Sequence, residues 1–336
     1  LYQLTPEPGG MTAIELRGVT KSFDDVTAVR DLDLTVDDGE VYGFLGPNGA
    51  GKSTTIDMLL DLVRPTAGTV RVLGADVATD GVEIRHRTGV LPDGFSVYDR
   101  LSGQKHVEFA VESKDANDDP EVLLDRVGLA DDADRPAGDY SKGMRQRLAL
   151  AMALVGDPDL LILDEPSSGL DPAGAKEMRE IVRAEAERGA TVFFSSHILE
   201  QVDAVCDRVG ILRDGELVAE DSVEGLREAV GGEETLEVAA AGADDDAVAA
   251  VRALPGVSGV TRDGDELVVN CASGAKTDVI AALEDAGVAV ADFHTREASL
   301  EDLFLAYTEG DAAEGDTDAV ASTSSEDEPA EEEVDR

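Results

Sequence analysis

Apolar and polar residues alternate over residues 12–42 in three runs, AIELRGV, AVRDLDLTV and EVYGF. Alternation at period two is the pattern of a half-buried strand. Asp24-Asp25 and Asp37-Asp38-Gly39 interrupt it with turn residues. The segment therefore predicts short antiparallel strands feeding one buried strand, Val41 to Leu45. A glycine-rich loop follows, and then the period lengthens. A helix is predicted from about Lys52 to Val63, ended by Arg64-Pro65. GTVRVLGADV predicts a second hairpin over 68–77. Residues 98–155 are mostly helical in pattern, with a polar break at 113–120. Leu160 to Leu163 is apolar throughout, the composition of a strand buried on both faces. A helix over 173–188 leads to another such strand, Thr191 to Ser195. A hairpin over 209–219 turns on Asp214-Gly215.

The composition shifts near Gly231-Gly232. From 235 to 309 the predicted order is strand, helix, strand, strand, helix, strand, helix. The strands fall near 235–239, 257–261, 266–271 and 288–294, with Asp263-Gly264 turning the middle pair. That order is the pattern of a small ferredoxin-like α+β domain. Residues 1–10 read as an N-terminal extension without a basic region or apolar core, so no signal peptide is expected. Residues 311–336 hold 11 acids and one arginine and are expected to be disordered.

The chain has 336 residues, enough for about two domains. Its 28 Lys+Arg against 73 Asp+Glu give a net charge of -45. So acidic a surface excludes nucleic-acid binding by phosphate neutralisation. It also excludes simple docking on anionic lipid. Only 7 of the basic residues are lysines. An acidic, lysine-poor surface is expected of a halophile's cytoplasm, where salt screens self-repulsion. The longest apolar stretch, Leu148 to Gly156, is about half of what a bilayer needs. Cys206 and Cys271 lack metal spacing and read as small buried hydrophobes in a reducing compartment.

Three segments carry chemistry. Gly46-Pro47-Asn48-Gly49-Ala50-Gly51-Lys52-Ser53 fits GxxxxGK[ST] between an apolar strand and a helix. Its glycines let backbone N–H groups converge on phosphate oxygens, Lys52 can reach the terminal phosphates, and the Ser53 hydroxyl can ligate Mg²⁺. Leu160-Leu161-Ile162-Leu163-Asp164-Glu165-Pro166 ends an apolar strand in two carboxylates. At the carboxyl edge of a parallel sheet, Asp164 would partner the metal and Glu165 could take a proton from an attacking water. Tyr140 to Arg147 (YSKGMRQR) precedes a helix; taken alone, Ser141 is a cap and Gly143 a permissive turn.

Over roughly residues 12–230 the chain resembles the ATP-binding subunit of ABC transporters. GPNGAGKST, through Thr54, matches the family's phosphate loop. YSKGMRQR is similar to its signature motif, with Lys142 where the commonest form has Gly and Met144 where it has Gln. LLILDEP matches the second nucleotide motif and puts Glu165 at the catalytic glutamate position. Ser168-Gly169-Leu170-Asp171 matches the loop that crosses the dimer interface, and Ser196-His197 falls where the family keeps its switch histidine. Two positions depart from the pattern. Asp93 stands where the family usually has a Gln that senses metal or water. Phe23 stands where a Tyr usually stacks on adenine. Ala298 to Leu305 (ASLEDLFL) is similar to the accessory domain of drug- and lipid-exporter ATPases of the daunorubicin-resistance type.

The resemblance implies an α/β P-loop NTPase over 11–232, with an antiparallel β subdomain and a helical subdomain at about 95–157. An accessory α+β domain over 233–309 and an acidic tail over 310–336 would follow. It implies ATP and Mg²⁺ as ligands. Residues 46–54, with Phe23, would hold the nucleotide. Ser53, Asp164 and Asp93 would face the metal. Lys52, Glu165 and His197 would act in hydrolysis. Ser141, Gly143 and Asp171 would complete the site of a second copy, or of a paralogous ATPase, in a head-to-tail dimer. The expected partner is a separate ABC-2 type membrane permease, which would hold the chain at the cytoplasmic face of the membrane. Permease contact is expected near Asp93 to Leu101, and export is the expected direction. The alternative is an ABC ATPase that regulates or remodels a soluble complex. His86, His106 and His294 are given no role. If the acidic surface is built for salt, melting temperature and ATP turnover should both rise from dilute buffer to molar KCl. A maximum in dilute buffer would overturn that reading.

Overall fold

A computed structural model describes residues 12–229, 233–264 and 266–297. The expected N-terminal extension, the Gly231-Gly232 junction, the ASLEDLFL segment and the acidic tail lie outside them. The chain opens with β1 (Thr12–Phe23), β2 (Val26–Asp37) and β3 (Val41–Leu45). Then come α1 (Lys52–Leu59), β4 (Ala67–Val72), β5 (Ala75–Asp76), α2 (Val77–Arg87) and β6 (Thr88–Leu91). Helices α3 (Gly103–Ser113), α4 (Pro120–Arg126) and α5 (Lys142–Ala153) follow. The next stretch holds β7 (Leu160–Asp164), α6 (Pro172–Glu187), β8 (Thr191–Ser196) and α7 (Leu199–Asp203). It closes with β9 (Arg208–Arg213), β10 (Glu216–Ser222) and α8 (Val223–Ala229).

The opening strands are longer than the pattern predicted, and they form a sheet of their own. Its order is β2-β1-β4-β5, antiparallel throughout. Strand β3 instead sits inside a six-stranded sheet of order β10-β9-β3-β8-β7-β6. There β9, β3, β8, β7 and β6 run parallel, and β10 closes one edge antiparallel. Helix α1 stops four residues before the predicted Val63. The amides of Leu62 and Val63 both turn back to the Asp57 carbonyl, and Asp61 takes φ +53°.

The parallel strands are apolar throughout because both faces are covered. Leu160, Ile162 and Phe193 enter the core shared with the antiparallel sheet, beside Tyr42 and Phe44. Leu161, Leu163 and Phe194 enter the opposite core, beside Leu148, Leu150 and Leu154. Alternate residues of one strand thus feed two cores. Each such side chain contributes about 1.5–3 kcal/mol on burial.

The remaining residues form β11 (Glu233–Ala241), α9 (Asp245–Arg252), β12 (Val257–Asp263), β13 (Glu266–Ala272), α10 (Lys276–Asp285) and β14 (Ala289–Glu297). Their sheet runs β12-β13-β11-β14, antiparallel, which is the ferredoxin-like order. Leu236, Val238, Leu267, Val269 and Cys271 pack there against Val251, Val279 and Leu283 of the helices. Neither Cys206, partly exposed, nor Cys271, buried, forms a disulfide.

Gly89 sets the closeness of α5 to the central sheet. A Cβ at this position would stand 2.2 Å from the Ala153 carbonyl oxygen, and backbone cannot step aside cheaply. Gly89→Ala should therefore cost about 1–3 kcal/mol in urea unfolding, the usual penalty for overpacking. An unchanged midpoint would show that this seam is looser than the contact requires.

Candidate functional site

The site forms where β3, β7 and β8 end side by side. Parallel pairing sets Leu45 opposite Ser196 and Asp164 opposite Ser195. All the loops leaving these strands therefore emerge at one carboxyl edge, where ligands of open α/β sheets bind. The loop from Gly46 to Gly51 curls onto the start of α1. Gly51 takes φ +109°, and a Cβ there would sit 2.5 Å from the Ala28 carbonyl oxygen. Only glycine fits this backbone.

Lys52 opens α1 but bends back over its own loop. Its Nζ donates to the carbonyls of Gly46 at 2.6 Å and Pro47 at 3.3 Å, and lies 3.6 Å from Oε1 of Glu165. The residue is 6% exposed. Burial pushes its pKa below the usual lysine range; the charges of Glu165, Asp164 and Asp93 oppose that shift. The ammonium thus occupies a dry pocket lined with oxygens, a position that phosphate oxygens could take over.

The two acids divide their oxygens differently. Ser53 donates to Oδ2 of Asp164 at 3.4 Å, and the buried Ser195 hydroxyl donates to Oδ1. Glu165 stands at φ +50°, in the left-handed region that non-glycine residues rarely adopt, with its amide on the Ser195 carbonyl. Its Oε1 takes the Nδ1–H of His197 at 2.8 Å. Its Oε2 is buried without any hydrogen-bond partner. Such an acceptor is ready for a proton donor that the chain itself does not provide. Burial, and then the charge of Asp164, raises the pKa of nearby Asp57.

These oxygens suit a hard divalent cation. Two adjacent buried carboxylates face one ammonium, which leaves local negative charge, and the donors are hydroxyl and carboxylate oxygens only. Among the described residues no group of three or more His, Cys, Asp or Glu could hold a metal alone. An ion here would need phosphate oxygens to complete its shell, as Mg²⁺ commonly does.

The other expected site residues are dispersed. Asp93 lies exposed beyond β6, near enough to act on Lys52 by charge, but no hydrogen bond joins it to Ser53 or Asp164. Phe23 ends β1, 45% exposed, with the Lys21 ammonium 4.6 Å from its ring centre. It is a surface ring rather than a core residue. Ser141 caps α5 by accepting from the Met144 amide at 3.2 Å, and a Cβ on Gly143 would make only ordinary contacts, 3.9 Å from Leu170 Cδ2 and Ser141 Oγ. Asp171 caps α6, accepting from Gly174 at 3.0 Å. Among the described residues none of these three is bonded to the Lys52 cluster. Two residues escaped the sequence reading: Ser195, the partner of Asp164, and Ser167, whose buried hydroxyl has no partner. The apolar run ending Ser-Ser-His marks a strand terminus, but its pairing with Asp164 is a property of the sheet.

Comparison with known proteins agrees with this geometry. The ABC transporter family model matches residues 29–168, and that of the ATP-binding protein DrrA1-3-like C-terminal domain matches 222–308. The chain is 36% identical over 309 residues to the daunorubicin resistance ATP-binding protein DrrA3 of Streptomyces coeruleorubidus. That match spans 89% of this chain and 97% of the relative. It is also 36% identical over 315 residues to a fluoroquinolones export ATP-binding protein of Mycobacterium tuberculosis, spanning 89% and 94% of the two chains. A solved ATP-binding subunit of an ABC transporter superposes with a TM-score of 0.59 at 28% identity, over 66% of this chain and 94% of that one.

Lys52→Ala should cut the affinity for a fluorescent ATP analogue at least ten-fold while the fold survives. Unchanged affinity in a titration of the folded variant would sink the assignment of the 46–53 loop.

Proposed function

Since the chain belongs to the family of ABC transporter ATP-binding subunits and is an ATPase, we propose that it powers export through a separate membrane permease. Relatives named for drug resistance and fluoroquinolone export, matched over almost their whole length, support that direction. Among the described residues no helix is long and apolar enough to cross a membrane. An ABC-2 type permease at the cytoplasmic face is the proposed partner. The surface offered to it lies beyond Asp93, where Tyr98 is 69% and Leu101 40% exposed. Side chains of that kind favour an apolar partner.

The observation that carries the catalytic reading is the convergence of Lys52, Ser53, Asp164, Glu165 and His197 at one sheet edge, from three separate segments. On this reading the 46–54 loop wraps the phosphates, and Lys52 exchanges its carbonyl partners for β- and γ-phosphate oxygens. Ser53 and Asp164 would hold Mg²⁺, which supplies charge neutralisation to those oxygens. Glu165 Oε2 accepts a proton from the attacking water. The water oxygen bonds to the γ-phosphorus, and the bond to the β-phosphate oxygen breaks, leaving ADP and phosphate. His197 holds Oε1 of Glu165 and so aims Oε2. Catalysis is then mainly positioning and charge stabilisation. Phe23 would cover the adenine. Ser141, Gly143 and Asp171 would face the nucleotide of a second copy in a head-to-tail dimer, and ATP binding would close that dimer. The opening and closing form a two-state element that a permease can follow.

Glu165→Gln keeps the shape of the side chain but removes the base. It should bind ATP with near-normal affinity, turn over at least 100-fold more slowly and elute as a dimer in gel filtration with ATP. Rapid phosphate release would refute the role of Glu165. A monomer at saturating ATP would refute the dimer.

A further inference from the structure

Ser195 has no assigned part in the site, yet it is a fully enclosed polar group there. Its side chain is fully buried at the end of β8, in register with Asp164 on the neighbouring strand. A serine hydroxyl has a single proton to donate. Here it goes to Oδ1 of Asp164. The other carboxylate oxygen, Oδ2, stays on the Ser53 side. Carboxylate rotation about χ2 is a soft motion, and without a fixed donor either oxygen could turn toward the loop. A hydrogen bond to an ionised acceptor is among the stronger kinds, and it is undiluted by water in this position.

We propose that Ser195 is a positioning residue for the divalent cation: its hydroxyl clamps one oxygen of Asp164 so that the other stays presented beside Ser53. The inference rests on the proposed metal site at Ser53 and Asp164. It adds a component that the phosphate loop and the acidic pair do not contain. Partners behind a metal-facing carboxylate commonly matter ten- to a hundred-fold for metal affinity. Asp164 also keeps Ser53 as a neighbour, so a loss at or below the lower end of that range, about three- to ten-fold, is expected here.

The register explains why Ser195 can do this. The β7–β8 pairing runs without a shift from Leu160 opposite Thr191 to Asp164 opposite Ser195. The last residue of β7 therefore stands level with the penultimate residue of β8. The backbone at the same point is fixed as well, because the Glu165 amide donates to the Ser195 carbonyl at 3.2 Å. Ser195 thus touches both acids, one through its side chain and the other through its main chain. Substitution of the side chain removes only the contact to Asp164.

The test uses the full chain and a non-hydrolysable ATP analogue, with affinity measured in EDTA and across a Mg²⁺ titration. Ser195→Ala and the near-isosteric Ser195→Cys should raise half-saturating Mg²⁺ about three- to ten-fold while leaving affinity in EDTA unchanged. Ser195→Thr, which restores a hydroxyl, should recover the wild-type Mg²⁺ requirement. An equal loss of affinity with and without Mg²⁺ would make Ser195 a packing residue and overturn the inference. So would an unchanged Mg²⁺ requirement in both folded variants. If the unaltered protein itself binds the analogue equally well in EDTA and in Mg²⁺, the metal site is wrong. If Lys52→Ala binds normally, the loop assignment is wrong. Those outcomes strike the functional reading and are distinct from a failure confined to Ser195.

Discussion

One ammonium withheld from water holds the catalytic edge together. Burying the Lys52 charge is unfavourable, and its lowered pKa records the penalty. The compensation is local and all of it is oxygen: two loop carbonyls, the adjacent acids Glu165 and Asp164, and the charge of Asp93. Removing the lysine would leave Asp164 and Glu165, both nearly enclosed, repelling each other without a counter-charge. The arrangement therefore favours a ligand that brings negative oxygens for the lysine and a cation for the acids. A metal-bound nucleoside triphosphate satisfies both demands at once. The surrounding architecture serves that point. Strand β3 is buried between β8 and β9 so that its loop emerges beside the two acids, and the apolar runs flanking it anchor the edge from both sides.

The elements legible in the sequence were those whose signal is contiguous. The phosphate loop carries its glycines, lysine and serine within eight positions, and the acidic pair follows an unbroken apolar run. The Asp214-Gly215 hairpin was equally clear, and both residues do adopt positive φ. What escaped was set by neighbours in space. Strand β6 has four residues, one of them Gly89, and it follows a polar helix, α2, so neither period was visible. The opening strands looked short because bulges shift their alternation, with Asp31 at φ +44° among them. His106 carried no motif, yet it is buried and holds the loop before α3. Its Nε2 accepts from the Tyr98 amide at 2.9 Å, and its Nδ1 lies 2.8 Å from the Ser102 carbonyl. Ser195 was hidden for the same reason as the strand pairing that gives it a role.

The residues expected to act on a second nucleotide share a different property. Ser141 and Asp171 each begin a helix and satisfy its first amides, so their side chains are held in one orientation without any ligand. The exposed Lys142 side chain lies across Gly169, whose φ of +65° favours glycine. The turn before α5 and the loop before α6 are thereby packed as a pair. Side chains already fixed by their own helix caps would have less freedom to lose on association.

Glu165 shows what this preparation requires. Its backbone occupies a region that costs about 1–3 kcal/mol for a residue with a side chain. An unpartnered buried acceptor adds about 1–3 kcal/mol more. Neither feature helps the chain fold. The first is fixed by the Ser195 carbonyl, and His197 holds one oxygen while the other is left unpaired. A proton acceptor already held in place by the fold needs less reorganisation at the chemical step. The proposed division of roles follows the same geometry: Asp164 has both oxygens engaged, and Glu165 keeps one for a proton.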